Sequence, residues 1–361
     1  MSELRINNIT DRAGSNGPII AGVSTVSSTS HMVIPSGPTE MRNSPSEVDL
    51  SGSQKILSSG GRGRGIFAGQ DPSADSIDKI DIATNGNATD FGNLTRSKQA
   101  VSATASATRG VVFGGYVSPA YLTDIDFITI PSGGGANDFG ELSTARGWSA
   151  ACGDGIKGLV GGTWPGPAAV DFVNIATTGD SSKFGELVVR PEGQGGTAVG
   201  YEITGGCGSP TRGIFGGGAH GTPSTTAVNL IQFISIQSGG NSVKFGELNK
   251  LSYGVTASSN STRGLFYGGR TPSAHSTIDF ITIATEGNAT DFGDLSASKF
   301  DCSACASSTR GIVAGGRTPS YLKIIEFVTI TTTGNVKNFG DLTSTRSQMG
   351  GFSDVHGGRG D

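Results

Sequence analysis

The sequence predicts an all-β protein, a single six-bladed β-propeller of four-stranded antiparallel blades with a small β-rich arm at its N-terminus. The first observation is a unit that recurs six times, with successive copies of its Phe-Gly pair 45 to 61 residues apart. Such a period is typical of propeller blades. The second is the presence of 59 Gly in 361 residues, spread among short β-branched runs, which favours strands joined by tight turns. The third is that no window has the apolar spacing of a helix.

Each unit begins with a basic residue and Gly, followed by two or three apolar residues and usually a Gly-Gly pair. The apolar run is too short for a helix, and paired glycines permit a turn or a close approach of another backbone. The run is therefore predicted to be a strand. The basic residues at these positions are Arg64, Arg109, Lys157, Arg212, Arg263 and Arg310.

The later part of each unit predicts two more strands. In one unit Ile278, Phe280 and Ile283 alternate with polar residues, which indicates a half-buried strand. A Gly-Asn turn follows in several units, and then a strand that begins with Phe-Gly-x-Leu. The phenylalanines of that motif are Phe91, Phe139, Phe184, Phe245, Phe292 and Phe339.

A fourth strand per unit fits in the 15 residues that separate most of the motif leucines from the next basic residue. Between Leu187 and Arg212 the interval is 25 residues. We expect the extra residues, around 191–196, to form a loop that projects from one face.

The repeat also predicts the domain organisation. Residues 1–45 contain three short β-branched runs with too little apolar area to fold alone, so we expect an arm that pairs with another chain; a disordered leader is the alternative. Residues 46–62 form a linker or a surplus strand, and residues 63–361 form the propeller. The first blade lacks an inner strand. We expect residues 347–356 to supply it and so to close the ring, with residues 51–58 as the rival.

Composition excludes several functions. A formal net charge of −4 gives no basic patch for nucleic acid, and no apolar run is long enough for membrane insertion. The first residues lack the apolar core of a secretory signal. We expect no cofactor and no metal, because the four His show no ligand spacing. Cys302 and Cys305 would point to opposite faces of a strand.

Three other features are interpreted as structural. Cys152, Cys207 and Cys305 each lie five residues before a basic residue, where Thr104 and Ser258 stand in other units, so we expect them to pack at a crowded hub. The basic residues and the acids after Phe-Gly repeat around the ring, which favours contacts between blades over catalysis. Exposed pairs of this kind contribute about 0.2–1 kcal/mol each. These acids are Glu141, Glu186, Glu247, Asp294 and Asp341.

The units resemble the kelch repeat, in which a Gly-Gly pair is followed by an acid beside an aromatic residue and then by Trp, Leu and a basic residue. Gly268-Gly269, Asp279-Phe280, Phe292, Leu295 and Lys299 match this pattern in order. So do Gly315-Gly316, Glu326-Phe327, Phe339, Leu342 and Arg346. Phe replaces Trp in all six units, and the basic residue is displaced or absent in the intervals after Leu187 and Leu248. The resemblance implies a kelch-like propeller but is weak evidence for any activity.

A narrower resemblance concerns the exact amino-acid sequence of the repeat. TRGLFYGG and TIATEGNATDFGDL are similar to repeats in structural proteins of marine tailed bacteriophages, cyanophages especially. The first residues, LRINNITDRAGSNG, resemble N-terminal arms of such virion proteins, and the ending SDVHGGRG resembles their common terminus. This implies a virion protein, a tail fibre or tail-associated appendage, whose arm contacts other virion proteins and which forms a homo-oligomer. A capsid decoration protein and, less favoured, a propeller enzyme or lectin are the alternatives.

The segment after each Gly-Gly pair varies among the units, and in a propeller these loops emerge on one face. Aromatic rings beside Arg or His suit the faces and hydroxyl groups of sugars, so we expect this face to contact a host glycan, a receptor or a neighbouring subunit; ordinary variation of loop sequence is the alternative. An enzyme would need a nonrepeating constellation, which the sequence does not offer. The candidate binding residues are Tyr116, Tyr121, Trp164, His220, Arg270, His275, Arg317 and Tyr321.

Overall fold

The computed structural model of the protein describes residues 63–163, 166, 168–188, 201–202, 205–220 and 226–355. Over these residues the fold is all-β, with six four-stranded antiparallel blades arranged in a ring. This confirms the predicted β-propeller. In the described part no helix is long and apolar enough to cross a membrane. The predicted arm (1–45), the linker (46–62) and the loop around 191–196 lie outside the described residues.

The strands run in chain order around the ring. Blade 1 contains β1 (Arg64–Gln70), β2 (Ala74–Asp81) and β3 (Thr89–Lys98). Blade 2 contains β4 (Ser102–Ala105), β5 (Arg109–Phe113), the short β6 (Tyr116–Val117), β7 (Ala120–Thr129) and β8 (Asn137–Arg146). Blade 3 contains β9 (Ala150–Gly153), β10 (Lys157–Gly161), β11 (Ala169–Asn174) and β12 (Ser182–Glu186).

The second half of the ring has the same plan with extra short strands. Blade 4 contains β14 (Gly205–Gly208), β15 (Arg212–Gly216), β18 (Leu230–Ser235) and β19 (Val243–Glu247), and beside it lie β13 (Tyr201–Glu202), β16 (Ala219–His220) and β17 (Thr226–Ala227). Blade 5 contains β20 (Thr256–Ser259), β21 (Arg263–Tyr267), β22 (Thr277–Thr282) and β23 (Thr290–Asp294). Blade 6 contains β24 (Ser303–Ala306), β25 (Arg310–Ala314), the short β26 (Arg317–Thr318) and β27 (Ser320–Tyr321), β28 (Ile324–Thr329) and β29 (Lys337–Asp341).

The last strand, β30 (Gly350–Ser353), closes the ring. It pairs antiparallel with β1, from Gly65 opposite Ser353 to Ala68 opposite Gly350, and so becomes the innermost strand of blade 1. Asp354 reinforces the junction, because its Oδ1 accepts the backbone N–H of Gly63 at 2.6 Å and of Arg64 at 3.0 Å. The pairing predicted for residues 347–356 is therefore confirmed at this strand; the rival segment, 51–58, lies outside the described residues.

The glycine after each basic residue is required at the hub. The innermost strand of one blade places a side chain against this glycine in the next blade, so a Cβ on Gly213 would lie 2.6 Å from Cys152 Sγ and one on Gly264 would lie 3.0 Å from Cys207 Sγ. The predicted packing role of these cysteines is confirmed. All four Cys are free and buried, and burial raises the pKa of Cys207 to about 12, which keeps the thiol protonated.

The Phe-Gly motif joins blades at the outer rim. A Cβ on Gly293 would lie 2.5 Å from the carbonyl of Gly334, which is in the turn of the next blade. The residue after Gly293, Asp294, donates its backbone N–H to Asn335 Oδ1 at 3.0 Å. The phenylalanine of the motif packs inside its own blade, as Phe292 does against Phe280 with ring centroids 6.0 Å apart. The repeated Gly-Asn turn is thus a contact surface for the preceding blade.

The basic residue of each unit also contacts the next blade. Arg263 lies 4.3 Å above the Phe280 ring and donates Nη1 to the Ile330 carbonyl at 2.8 Å. The equivalent donors reach the carbonyls of Ile130, Ile175, Ile236, Ile283 and Ile82. The expected contact between blades is present, but its acceptor is a backbone carbonyl. The prediction that these basic residues pair with the acids after Phe-Gly was wrong. Glu186 and Glu247, for example, bind Lys183 and Lys244 of their own strands.

Buried ion pairs cross four of the six blade boundaries in the part of the chain described. A cation that follows the Phe-Gly-x-Leu motif forms an ion pair with an acid on the third strand of the next blade, counting strands outward from the axis of the ring. All eight side chains are at most 1% exposed. The pairs are Lys98–Asp126, Arg146–Asp171, Lys299–Glu326 and Arg346–Asp78.

The two boundaries of blade 4 have different partners at the acid position. Gln232 accepts the Val188 N–H at 2.7 Å and the Ser242 hydroxyl at 2.6 Å. Asp279 accepts the N–H and the Nδ2 of Asn249 at 2.9 and 2.7 Å. The alternation around Ile278 placed Asp279 on a solvent face, but it is buried, because neighbouring blades cover both faces of the third strand.

Candidate functional site

One face of the ring, here called the loop face, carries most of the side chains that differ between blades. It is formed by the segments that join the second and third strands of each blade, counted from the axis, and by the connections between blades. Because the strands are antiparallel, both kinds of segment meet at the same end of the blades. The first residue after the Gly pair forms a bridge to the preceding connection, as in Tyr116 with Gln99, Arg270 with Tyr253, and Arg317 with Phe300. Predicted residues of separate units therefore occupy one repeated position.

Three aromatic rings cluster on the loop face of blade 2. Tyr116 and Tyr121 have ring centroids 5.1 Å apart, and Trp148 lies 5.5 Å from the first and 6.0 Å from the second. All three are partly exposed. Tyr116 and Tyr121 were predicted, whereas Trp148 was missed because it lies in a connection without a strand pattern. Its backbone is left-handed (φ 51°), as are Ala100, Asp301 and Gln348 at equivalent points.

A second cluster alternates aromatic rings and arginines across blades 5 and 6. The Arg270 guanidinium lies 4.8 Å from the Tyr253 ring centroid and 4.6 Å from that of Phe300. Arg317 lies 4.9 Å from the Phe300 centroid. The Nε of Arg270 also donates to the Tyr253 hydroxyl at 2.6 Å. Stacking on rings fixes both guanidinium planes, and each contact of this kind contributes about 0.5–1 kcal/mol at partly exposed sites.

The charge of Arg317 is neutralised within the face. Its Nη2 lies 2.6 Å from Asp301 Oδ2 and its Nη1 lies 3.5 Å from Asp71 Oδ2. Tyr321 donates its hydroxyl to Asp71 at 2.9 Å, and desolvation together with that carboxylate raises the pKa of Tyr321. Because Asp71 belongs to blade 1 and Tyr321 to blade 6, these residues tie the loop face together at the ring junction.

The two candidate histidines, His220 and His275, are less accessible to a ligand than the sequence suggested. His275 Nε2 lies 2.5 Å from Ser252 Oγ, and burial together with the charge of Lys250 lowers its pKa to about 4. The imidazole is therefore neutral at pH 7. His220 is only 8% exposed, so its side chain adds little to the exposed surface. Trp164 lies outside the described residues.

A polar cavity of about 60 Å³ lies on the loop face, where the innermost strands of the blades begin. Its lining includes Trp148 and Ser149 from one side, and Asp301, Ser303 and Gln348 from the other. Trp148 belongs to the aromatic cluster, and Asp301 is the partner of Arg317. The cavity thus lies between the two clusters and gives the loop face hydroxyl, amide and carboxylate groups near its centre.

The side chains on this face can stack on a ligand and form hydrogen bonds with it. In the described ranges no three His, Cys, Asp or Glu side chains come together in a group that could hold a metal ion. Rigidly held aromatic rings with polar edges suit flat, hydroxyl-bearing ligands. No protein-family model matches the chain, and no curated protein matches it significantly.

Proposed function

We propose that this chain is a noncatalytic structural protein of a tailed-phage virion, a tail fibre or tail-associated appendage whose loop face contacts the host surface. Residues 1–45 attach it to neighbouring virion proteins, and the protein forms a homo-oligomer in the particle. The similarity of the TRGLFYGG and TIATEGNATDFGDL segments to marine phage repeats supports this assignment. The propeller architecture is compatible with it.

One observation carries the binding part of the proposal. The repeated residues are occupied in contacts between blades, as the Arg263 and Gly293 examples illustrate. The residues that differ between units, in contrast, lie on one face in two clusters. One is the aromatic cluster of blade 2, and the other contains Arg270 and Arg317 stacked on aromatic rings. Loops held by a rigid scaffold are where binding residues concentrate. A recognition surface on a structural ring accounts for both sets of residues.

A saccharide is the ligand class that best fits this face. Tyr121 and Trp148 are partly exposed aromatic rings that can pack against the apolar side of a sugar, and the nearby cavity offers Ser149 and Gln348 for its hydroxyl groups. Aromatic anchors of this kind dominate the free energy of many interfaces. We therefore expect the purified protein to bind a host-surface glycan.

Glycan-array binding by the full-length protein tests the proposal. Trp148→Ala and Tyr121→Ala should each reduce binding about tenfold or more, because a stacked ring contributes roughly 1–3 kcal/mol. Ile156→Ala is the matched control, since Ile156 is 57% exposed on the opposite face; it should bind like the wild type.

The location of the protein in intact particles decides between the remaining roles. Labelling by cryo-electron microscopy should place it at the tail with its loop face outward. A loop face buried against another virion protein, or a position on the capsid shell, would refute host recognition and leave a structural or decoration role.

A further inference from the structure

The Arg270 guanidinium is a rigid cation with no acid partner in the described part of the chain. We propose that Arg270 binds the carboxylate of an acidic sugar, a uronic or sialic acid residue, on the host glycan. This inference rests on the proposed function and specifies its ligand. It goes beyond stacking, because it requires an anionic group at a defined point on the loop face.

Arg270 and Arg317 occupy equivalent positions in adjacent blades but differ in their acid partners. Both follow a Gly pair, and both stack on Phe300. Arg317 uses two acids: Asp301, in the connection before its own blade, and Asp71, at the matching position of the next blade. For Arg270, the residues at these two equivalent positions are Gly254 and Arg317. The same scaffold thus neutralises one arginine and leaves its neighbour without a carboxylate.

The stacking also determines which atoms of Arg270 remain available. The Tyr253 and Phe300 rings lie against the guanidinium, and the Nε is engaged by the Tyr253 hydroxyl. Neither Nη nitrogen donates to another described residue, and neither is buried, so both reach solvent. A planar fork with two free Nη groups matches the two oxygens of a carboxylate. Because the side chain is already held in place, little rotamer entropy is lost on binding.

The surrounding charges favour an anion as well. Lys250, on the loops of the same blade, is exposed and donates Nζ to the Thr277 hydroxyl at 2.7 Å. Asp301 and Asp71, the acids of the neighbouring Arg317 position, are engaged by Arg317. A carboxylate at Arg270 would therefore meet a guanidinium that has no ion-pair partner among the described residues, with Tyr253 beside it to pack against the sugar ring.

Surface plasmon resonance on the full-length protein tests this inference with two matched pairs of probes. The first pair is trigalacturonate and its methyl ester, and the second is sialyllactose and lactose. We expect the wild type to bind at least one acidic probe about tenfold or more tightly than its neutral counterpart, as a charge-assisted bidentate contact requires.

Variants assign the effect to the side chain. Arg270→Gln should remove the preference for the acidic probe, and Arg270→Lys should restore only part of it, because an ammonium cannot make the bidentate contact. Lys337→Gln is the control, because it makes the same change in net charge at an exposed residue on the face of the ring opposite the loop face. This variant should keep the preference for the acidic probe.

The outcomes separate this inference from the broader proposal. Equal binding of acidic and neutral probes, binding of neither acidic probe, or an Arg270→Gln variant with wild-type preference would overturn it. If neutral glycans still bind through Trp148, the proposed function stands without a carboxylate site. If sulfated dextran binds and the carboxylates do not, the assignment to a carboxylate is wrong.

Discussion

The acid position on the third strand offers a test of how the blades are held together, because adjacent blades use it differently. In blade 6 Glu326 forms an ion pair with Lys299 at 2.7 Å, with both side chains at most 1% exposed. In blade 5 the equivalent Asp279 accepts two hydrogen bonds from Asn249, forms no ion pair with a described residue, and feels the charges of Asp291 and Lys250 through space. We predict that Glu326→Gln is strongly destabilising and that Asp279→Asn is nearly neutral.

The magnitudes follow from what each change leaves behind. Glu326→Gln leaves a buried ammonium without its counter-charge, which costs about 3–5 kcal/mol. At about 2–4 °C per kcal/mol for a domain of this size, Tm should fall by roughly 10 °C. Asp279→Asn loses one of two hydrogen bonds, worth about 1 kcal/mol, but removes a buried charge that has no close cation. Gln232 shows that an amide fits this position in blade 4.

The pH dependence gives the prediction a sign. Burial raises the pKa of Asp279, opposed by the Asn249 hydrogen bonds, so the folded protein holds this proton more tightly than the unfolded chain. Ionisation therefore lowers the free energy of unfolding as pH rises from the pKa in the unfolded chain, about 3.9, through the raised pKa in the folded protein. Relative to wild type, Asp279→Asn should gain stability over that interval.

Urea denaturation followed by circular dichroism, at pH 4 and pH 7, measures both variants. Equal losses of stability at pH 7 for Glu326→Gln and Asp279→Asn would refute the reasoning, because the ion pair would then contribute nothing beyond the hydrogen bonds. A pH-independent difference between Asp279→Asn and wild type would contradict the role given to burial.

Two further predictions concern the ring itself. Deletion of residues 347–361 removes β30 and exposes the edge of β1, so the melting transition should lose its cooperativity in calorimetry; an unchanged transition would rule out closure by this strand. Gly246→Ala should lower Tm because its Cβ would collide with the Gly287 carbonyl of the next blade, whereas Gly86→Ala, where a Cβ meets nothing within 4 Å, should melt like wild type. Similar Tm values for the two glycine variants would contradict the rim contact.

Much of the fold could be predicted from the sequence because the same pattern of basic, apolar and glycine residues repeats in each blade. The interval from Leu94 to Arg109 matches that from Leu142 to Lys157, so strand count and order follow from one unit. Partners across blade boundaries were harder to predict. Sequence spacing does not reveal that Arg263 donates to a backbone carbonyl, and alternation assumes one solvent face, which Asp279 does not have.

The candidate site was predictable as a region but not as a set of contacts. The rule that loops differ between units located Tyr116, Arg270 and Arg317 at one repeated position. It could not locate Trp148, since a left-handed residue in a connection leaves no periodic signal. Nor could it distinguish Arg270 from Arg317, whose charges differ in availability only because Asp71 and Asp301 approach through space.

Closure by β30 has a consequence for how the protein is made. Gly63 and Asp354 meet across 291 positions of the chain, so a ribosome must deliver almost the whole propeller before the first blade is finished. Until then β1 presents an unpaired edge, which is the kind of surface on which strands from other chains add. The time of synthesis, at about 5–20 residues per second, therefore sets a window of tens of seconds for mispairing. A slowed ribosome near the 3′ end of the message would lengthen that window and favour aggregation of nascent chains.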